Sequence, residues 1–215
     1  MPTLFCDINE TTLDLGPVAA AVDDALGTGA ARLWFARLLH HSTVLTLTGA
    51  FAPFTDLAAA SFSSTAQSLG RDGADWGAIA PHLGRLPAHP DVVPGLSRFR
   101  DAGWGVVALT NTPLESLERG LAFAGISACF DGLLTVESTG RYKPAPEPYV
   151  RALEDVGVAP RDAWMVAAHD WDLAGAAGVG MHTAFLARPG MPRSTAYASP
   201  EVVVGDYEAL ADQLL

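Results

Sequence analysis

Residues 3–12 read Thr-Leu-Phe-Cys-Asp-Ile-Asn-Glu-Thr-Thr, a short apolar run that stops at a polar cluster. Residues 3–8 predict a buried strand, and the cluster that begins at Asn9 predicts the turn that ends it. Asp7 lies near the carboxyl end of this strand. Because ligands of open α/β sheets bind beyond the carboxyl ends of the strands, Asp7 is the first candidate functional residue.

Further apolar runs bounded by turn residues predict four more strands, at 105–109, 132–136, 164–168 and 183–187. Segments with helical spacing of apolar residues accompany them, at 91–102, 114–125, 146–157 and 172–179. The strands are apolar throughout rather than alternating, which is typical of a parallel sheet covered on both faces. The sequence therefore predicts an α/β fold with a Rossmann-like parallel sheet core.

The stretch 16–88 interrupts this alternation, because it contains no convincing strand. Helical patterns follow one another there, at Val18–Leu26, Ala30–Thr46, Phe54–Leu69 and Trp76–Leu83. We therefore predict an inserted helical cap at 16–88 and a catalytic core made of 1–15 and 89–215. A cap that leaves the chain after the first strand would cover the carboxyl edge of the sheet and exclude water from it.

The composition excludes several classes of function. The 215 residues carry a formal net charge of −11, which would repel nucleic acids and anionic membranes. No run of 18 apolar residues occurs and the first ten residues contain two acids, so we expect a cytoplasmic protein without a signal peptide. The two cysteines form no CxxC pair, so we expect two buried thiols rather than a disulfide framework or a zinc site.

Lysine usage is unusual, because Lys143 is the only lysine among 13 basic residues. Lysine offers a compact ammonium group with an adjustable pKa, whereas arginine offers a permanently charged fork. A single lysine therefore suggests a task that arginine cannot perform. Codon bias is the alternative explanation.

Chemically capable side chains follow each predicted strand and should meet at one edge of the sheet. These are Asp7, Asn9 and Thr11 after the first strand, Thr110 and Asn111 after the second, Lys143 after the third, and His169, Asp170, Trp171 and Asp172 after the fourth. Each alone could be a helix cap or a turn former. Their convergence on one edge favours an active site instead.

The same residues resemble the four ordered motifs of the haloacid dehalogenase superfamily. The resemblance rests on residues 5–14, on Leu109-Thr110-Asn111, on the segment 142–149 and on Ala168-His169-Asp170-Trp171-Asp172. Within the superfamily the chain looks most like the type II (S)-2-haloacid dehalogenases. The Lys-Pro-x-Pro-x-x-Tyr pattern at 143–149 and the Trp-Asp pair at 171–172 carry that finer resemblance.

The resemblance implies a hydrolase that acts on a small carboxylic acid through an aspartyl ester, without a metal or cofactor. It implies that Asp7 is the nucleophile, that Lys143 holds it ionised, and that Asp172 orients the lysine or the water. It implies substrate contacts by Asn9, Thr11, Phe35, Thr110, Asn111, Tyr149 and Trp171. A homodimer formed through the cap is also implied.

Two departures from the family pattern alter the expected pocket. The family has an arginine after the Leu33-Trp34 pair that binds halide and substrate carboxylate, but this chain has Phe35. Arg37 would face away by about 200° on a helix, and Arg32 is no better placed. His169 replaces the family's asparagine and could act as a general base, a proton donor or merely a helix cap.

Four functions remain open on these residues. A 2-haloacid dehalogenase of altered substrate scope is favoured, and a hydrolase that opens the ring of azetidine-2-carboxylate is the main alternative. A magnesium-dependent phosphatase is disfavoured, because Asn9 stands where phosphatases carry an aspartate that protonates the leaving group. A non-enzymatic binding module is the fourth.

Overall fold

Six parallel strands form one sheet in the computed structural model, which describes residues 1–215. The strands are β1 (Thr3–Cys6), β2 (Gly105–Thr110), β3 (Gly132–Thr135), β4 (Ala163–Ala167), β5 (His182–Leu186) and β6 (Val202–Val204). Their order is β3-β2-β1-β4-β5-β6, so the central strand is β1. The chain reverses its direction of winding there, which makes the carboxyl end of β1 the expected ligand site.

Helices cover both faces of the sheet, as the apolar strands require. They are α5 (Val92–Asp101), α6 (Leu114–Phe123), α7 (Pro146–Val156), α8 (Asp170–Gly178) and α9 (Tyr207–Leu214). Leu4 and Cys6 of β1 pack into the buried cluster that includes α5, α6 and α9, whereas Phe5 packs with α7 and α8. The predicted α/β class and parallel sheet are confirmed.

Four helices lie between β1 and β2: α1 (Gly16–Leu26), α2 (Ala30–Thr48), α3 (Phe54–Ser68) and α4 (Trp76–Leu83). We call α1–α4 the cap helices. Their buried side chains are continuous with the cluster on one face of the sheet. Gly49, with φ of 75°, supplies the left-handed residue that ends α2.

The chain enters and leaves the cap helices through two paired segments. Asp14 N donates to Pro87 O at 2.9 Å, His89 N donates to Thr12 O at 3.1 Å, and an antiparallel bridge joins Leu13 to Ala88. This pairing supports a division near residues 15 and 88. The exact division into a core and a cap stays a prediction.

Several predicted boundaries and elements were wrong. β1 ends at Cys6 rather than at residue 8, because the backbone turns after Asp7, and β2 extends to Thr110. Strand β6 and helix α9 were not predicted, since three valines give too short a pattern. A Cβ at Gly95 would lie 2.4 Å from Tyr207 Cβ, so α5 and α9 pack closely only because Gly95 has no side chain.

No helix has both the length and the apolar character to cross a membrane.

Candidate active site

The Asp7 carboxylate lies directly beyond the carboxyl end of β1 and has a hydrogen-bond partner on each oxygen. Lys143 Nζ donates to Asp7 Oδ1 at 3.0 Å, and Thr11 Oγ1 donates to Asp7 Oδ2 at 2.8 Å. The Asp7 backbone N–H donates to Val166 O at 3.0 Å, which fixes the turn after β1 against β4. The carboxylate is therefore held in one orientation at the centre of the sheet edge.

All three donors of the Lys143 ammonium are used. Besides Asp7, Nζ donates to Asp172 Oδ2 at 2.5 Å and to Leu109 O at 2.8 Å, and the side chain is 1% exposed. Burial by itself would lower the pKa of Lys143, but the charges of Asp172 and Asp7 outweigh it and raise this pKa above its ordinary value. The ammonium therefore stays charged at neutral pH.

Asp172, in the first turn of α8, lies on the far side of the lysine and is fully buried. Tyr149 OH donates to Asp172 Oδ1 at 2.6 Å and contacts the Asp172 carbonyl oxygen at 3.0 Å. Burial raises the pKa of Asp172 to about 6, the charge of Asp7 adds to the rise, and Lys143 and Tyr149 oppose it. A Cβ at Gly175 would lie 2.7 Å from Tyr149 OH, so this close approach of α8 requires glycine.

Asn111 connects the second motif to the lysine loop, because its Oδ1 accepts a hydrogen bond from Lys143 N at 3.1 Å. Thr110 Oγ1 accepts a hydrogen bond from Thr112 N at 3.2 Å, within the second motif itself. Both residues are buried.

A second polar network, which sequence reasoning missed, braces the loop that follows Asp7. Arg188 Nη2 and Nε donate to Thr11 O at 2.9 and 3.1 Å, and the guanidinium also makes two hydrogen bonds to the Asp91 carboxylate, at 2.8 and 3.0 Å. Thr12 Oγ1 donates to Asp7 O at 2.7 Å and contacts Tyr207 OH at 2.8 Å. No short motif signals such a brace, because its members come from four separate segments.

His169 lies between two aromatic rings above the site. Its ring centroid is 5.6 Å from that of Phe35 and 5.2 Å from that of Trp171, with interplanar angles of 26° and 21°. His169 Nε2 is buried and has no hydrogen-bond partner. Burial lowers the pKa of His169, so the imidazole is neutral near pH 7. His169 occupies the N-cap position of α8 but makes no side-chain capping bond, so the capping explanation is wrong.

Asn9 and Glu10 form the exposed side of the loop after β1. Asn9 Nδ2 donates to Thr112 Oγ1 at 3.1 Å. Glu10 has φ of 63°, a left-handed conformation that is uncommon for residues other than glycine. Burial, with the charge of Asp14, raises the pKa of Glu10 to about 7. Glu10 was not predicted as a site residue, and its sequence context gave no sign of this conformation.

Two cavities flank Phe35 between the sheet edge and the cap helices. The cap cavity, of about 320 Å³, lies beside Asn9 and Thr112 and extends among Trp34, Phe54 and Trp76. The histidine cavity, of about 530 Å³, lies beside Glu10, His169 and Trp171. Phe35 and Trp34 belong to the walls of both cavities.

Three of the seven predicted substrate-binding residues, Asn9, Phe35 and Trp171, line one of the two cavities and can meet a substrate. The other four, Thr11, Thr110, Asn111 and Tyr149, are buried and line neither cavity. Direct substrate contact by these four stays a prediction. Arg32 was expected to be poorly placed to replace the family's arginine, but it lines the histidine cavity.

A carboxylate–lysine–carboxylate chain at the reversal point of a parallel sheet, beneath cap helices, defines an α/β enzyme with a covered reaction site. Residues 3–180 match the family described as haloacid dehalogenase-like hydrolase, and the chain belongs to this family. The resemblance inferred from the sequence motifs is thereby confirmed.

Individual relatives agree with this assignment. The chain is 29% identical over 198 residues to (S)-2-haloacid dehalogenase 4A of Burkholderia cepacia, spanning 89% of this chain and 85% of the relative. It is 26% identical over 223 residues to (S)-2-haloacid dehalogenase 1 of Pseudomonas sp. (strain CBS-3), spanning 94% and 98%. The L-2-haloacid dehalogenase of Xanthobacter autotrophicus with chloropropionic acid covalently bound has the same fold. Its TM-score is 0.90 at 23% identity, with 100% of this chain and 98% of that chain covered.

Proposed function

We propose that this hydrolase cleaves small 2-substituted carboxylic acids through an ester formed on Asp7, and that it is a 2-haloacid dehalogenase of altered substrate scope. The observation that carries the proposal is the 3.0 Å contact between Asp7 Oδ1 and the fully engaged ammonium of Lys143. This ion pair lies at the carboxyl edge of the sheet, within reach of two cavities.

In the first step, an oxygen of the Asp7 carboxylate attacks C2 of the substrate. The bond from C2 to the leaving group breaks, the leaving group takes the electron pair, and an aspartyl ester forms. A carboxylate requires no base to act as nucleophile. Thr11 and Lys143 hold the carboxylate in position for this attack.

In the second step, water attacks the carbonyl carbon of the ester, and the 2-hydroxy acid leaves with the oxygen that Asp7 originally contributed. Negative charge develops on the Asp7 oxygen that did not attack. Each oxygen has one donor in place, Lys143 Nζ on Oδ1 and Thr11 Oγ1 on Oδ2. His169, neutral and without a partner on Nε2, is the base we assign to this water. The proton that His169 accepts passes to the departing oxygen of the product, and the Asp7 carboxylate is restored.

Halide is the favoured leaving group because curated relatives are named (S)-2-haloacid dehalogenases. The covalent chloropropionic acid of the Xanthobacter enzyme supports the same ester chemistry. Halide needs no proton to depart, so Asn9 is compatible with it. Phe35 stands in place of the family's arginine, and Arg32, which lines the histidine cavity with Phe35, is the replacement we assign.

The alternative is cleavage of a C–N bond, as in ring opening of azetidine-2-carboxylate. Two side chains of the histidine cavity, Glu10 and His169, favour it. An amine must be protonated before it departs. Glu10, with its pKa raised to about 7, can supply a proton at neutral pH, and His169 Nε2 can relay one. A phosphatase would lack the acid that Asn9 replaces.

A release screen tests the proposal and separates the leaving groups. Ion chromatography measures fluoride, chloride and bromide from (S)-2-haloacids, and mass spectrometry measures ring opening of azetidine-2-carboxylate. We expect halide release, with p-nitrophenyl phosphate as the unreactive control. Ring opening without halide release would favour the C–N alternative. If none of the tested acids reacts, the proposal is overturned.

We also propose the homodimer that the resemblance implies, with the cap helices as the contact. Leu33, Val44 and Leu47 of α2 expose apolar side chains, and Leu47 is 81% exposed. Sedimentation of the purified chain tests this, because a monomer at micromolar concentration would contradict it. The cytoplasmic location stays a prediction.

A further inference from the structure

The cap cavity is larger than the substrates of the named relatives would require. Protein interiors contain few voids larger than a water molecule. An apolar cavity of about 150 Å³ is enough to bind benzene, and this one measures about 320 Å³. A side chain of six or more carbons would fit in it.

Most of the named aliphatic and aromatic residues in the wall of the cap cavity come from the cap helices α2, α3 and α4. Leu15 precedes α1, Trp34 and Leu38 lie on α2, Phe54 on α3, and Trp76 on α4. The aliphatic and aromatic part of this wall binds hydrocarbon by excluding water.

One end of the cap cavity lies at the loops that carry Asp7 and Asn111. Asn9, two residues after Asp7, and Thr112, next to Asn111, form its floor and are joined by a 3.1 Å hydrogen bond. Phe35 separates this end from His169. Arg119 is the only charged residue of the wall and pairs with the exposed Glu115. The cap cavity therefore lies beside the nucleophile loop.

We propose that the cap cavity is a subsite for the side chain of the substrate, and that the preferred substrates are 2-substituted carboxylic acids with an uncharged alkyl or aryl side chain of about six carbons or more. This inference rests on the proposed function, since it places C2 of the acid at Asp7. It assigns a specificity that distinguishes this chain from an enzyme for two- and three-carbon acids.

The first test measures kcat/KM for bromide release along a series of 2-bromo acids, from propanoate through hexanoate to octanoate, with 2-bromo-3-phenylpropanoate as the aryl member. Each methylene buried in the cavity should raise kcat/KM about fourfold until the cavity is full. A flat or falling series, with 2-bromopropanoate turned over, would overturn the subsite and leave the proposed function intact.

A matched pair of variants on α4 tests the location. Ala80 lines the cap cavity, whereas Ala78 is exposed on the same helix and lines neither cavity. Ala80→Leu should lower kcat/KM for 2-bromooctanoate at least tenfold and change that for 2-bromopropanoate less than twofold. Ala78→Leu should change neither, and equal effects of the two variants would contradict the location.

A binding measurement separates failure of the subsite from failure of the proposed chemistry. Titration calorimetry compares octanoate with butanoate, which bind without reacting. We expect octanoate to bind at least tenfold more tightly to the unmodified chain and to lose this advantage in Ala80→Leu. Equal binding of the two acids overturns the subsite, whereas tighter octanoate binding without any halide release retains the subsite and overturns the proposed function.

Discussion

Phe35 of the cap helix α2 stacks on His169 of the loop before α8, with ring centroids 5.6 Å apart and an interplanar angle of 26°. These two residues are the main departures from the family pattern, and they contact each other directly. An arginine at position 35 beside an asparagine at position 169 would form a polar pocket, whereas the present pair forms an aromatic wall. The two changes therefore act on one region of the site, between the cap cavity and the histidine cavity.

Replacing Asp7 by Asn should abolish turnover while the fold survives, because the side chain loses its nucleophilic charge at nearly constant volume. Circular dichroism checks the fold. Single turnover of the unmodified enzyme in ¹⁸O-water should place the label in Asp7, detected by peptide mass spectrometry. Asp14→Asn is the matched control. The Asp14 carboxylate accepts a hydrogen bond from Gly16 N, so this variant should keep activity. Label appearing directly in the product would show that no ester forms.

Replacing Lys143 by Arg should reduce kcat at least a hundredfold, or about 2.7 kcal/mol of barrier. The guanidinium keeps the charge but cannot place donors on Asp7, Asp172 and Leu109 in the space of one buried ammonium. Steady-state kinetics on the best substrate of the release screen provide the measurement. Near-normal activity of a folded Lys143→Arg protein would show that codon bias, and not catalysis, explains the single lysine.

Replacing Tyr149 by Phe should move the acid limb of the kcat profile to higher pH. Asp172 has its pKa raised to about 6, so kcat of the unmodified enzyme should fall as pH decreases through 6 and the lysine loses an ionised partner. The Tyr149 hydrogen bond lowers this pKa, so its removal raises the pKa further, and we expect a displacement of about half a pH unit. Tyr197→Phe, at an exposed tyrosine, is the control. An unchanged profile would show that Asp172 does not govern the acid limb.

Replacing Phe35 by Arg should raise turnover of 2-chloropropionate about tenfold, because position 35 faces His169 and both cavities, where a guanidinium can bind carboxylate and halide. Ala78→Arg adds the same charge at an exposed position of the cap helix α4 that lines neither cavity, and it should have no effect. A folded Phe35→Arg protein without gain, beside an unmodified enzyme already fast on 2-chloropropionate, would mean that another residue supplies the halide site.

Catalysis should be independent of Mg²⁺ and should survive EDTA with kcat unchanged within experimental error. The Asp172 oxygens are bonded to Lys143 and Tyr149, and Asp170 Oδ2 accepts from Ser194 N, so neither carboxylate offers a free oxygen pair. Asn9 lacks the acid that a phosphatase uses. Parallel assays with Mg²⁺ and with EDTA, on the best acid and on p-nitrophenyl phosphate, provide the measurement. Restoration of activity by Mg²⁺ after chelation would contradict this account.

The sequence by itself determined the class of fold and the edge of the sheet where chemistry occurs. Apolar runs of strand length are a local pattern, so β1 through β5 could be predicted, and parallel strands necessarily bring Asp7, Lys143 and Asp172 to one edge. The solitary lysine and the ordered motifs then indicated the family. β6 escaped prediction because three residues carry too little periodicity.

Only the tertiary structure showed what each side chain contacts. Tyr149 was expected near the lysine, but its hydroxyl reaches Asp172, because Gly175 lets α8 approach α7. Arg188 holds the carbonyl of Thr11, and Phe35 stacks on His169. These pairs are far apart in sequence and come together through the path of the chain and the packing of whole helices. Local spacing carries no information about such contacts, which is why the two cavities and their walls could not be inferred from the sequence.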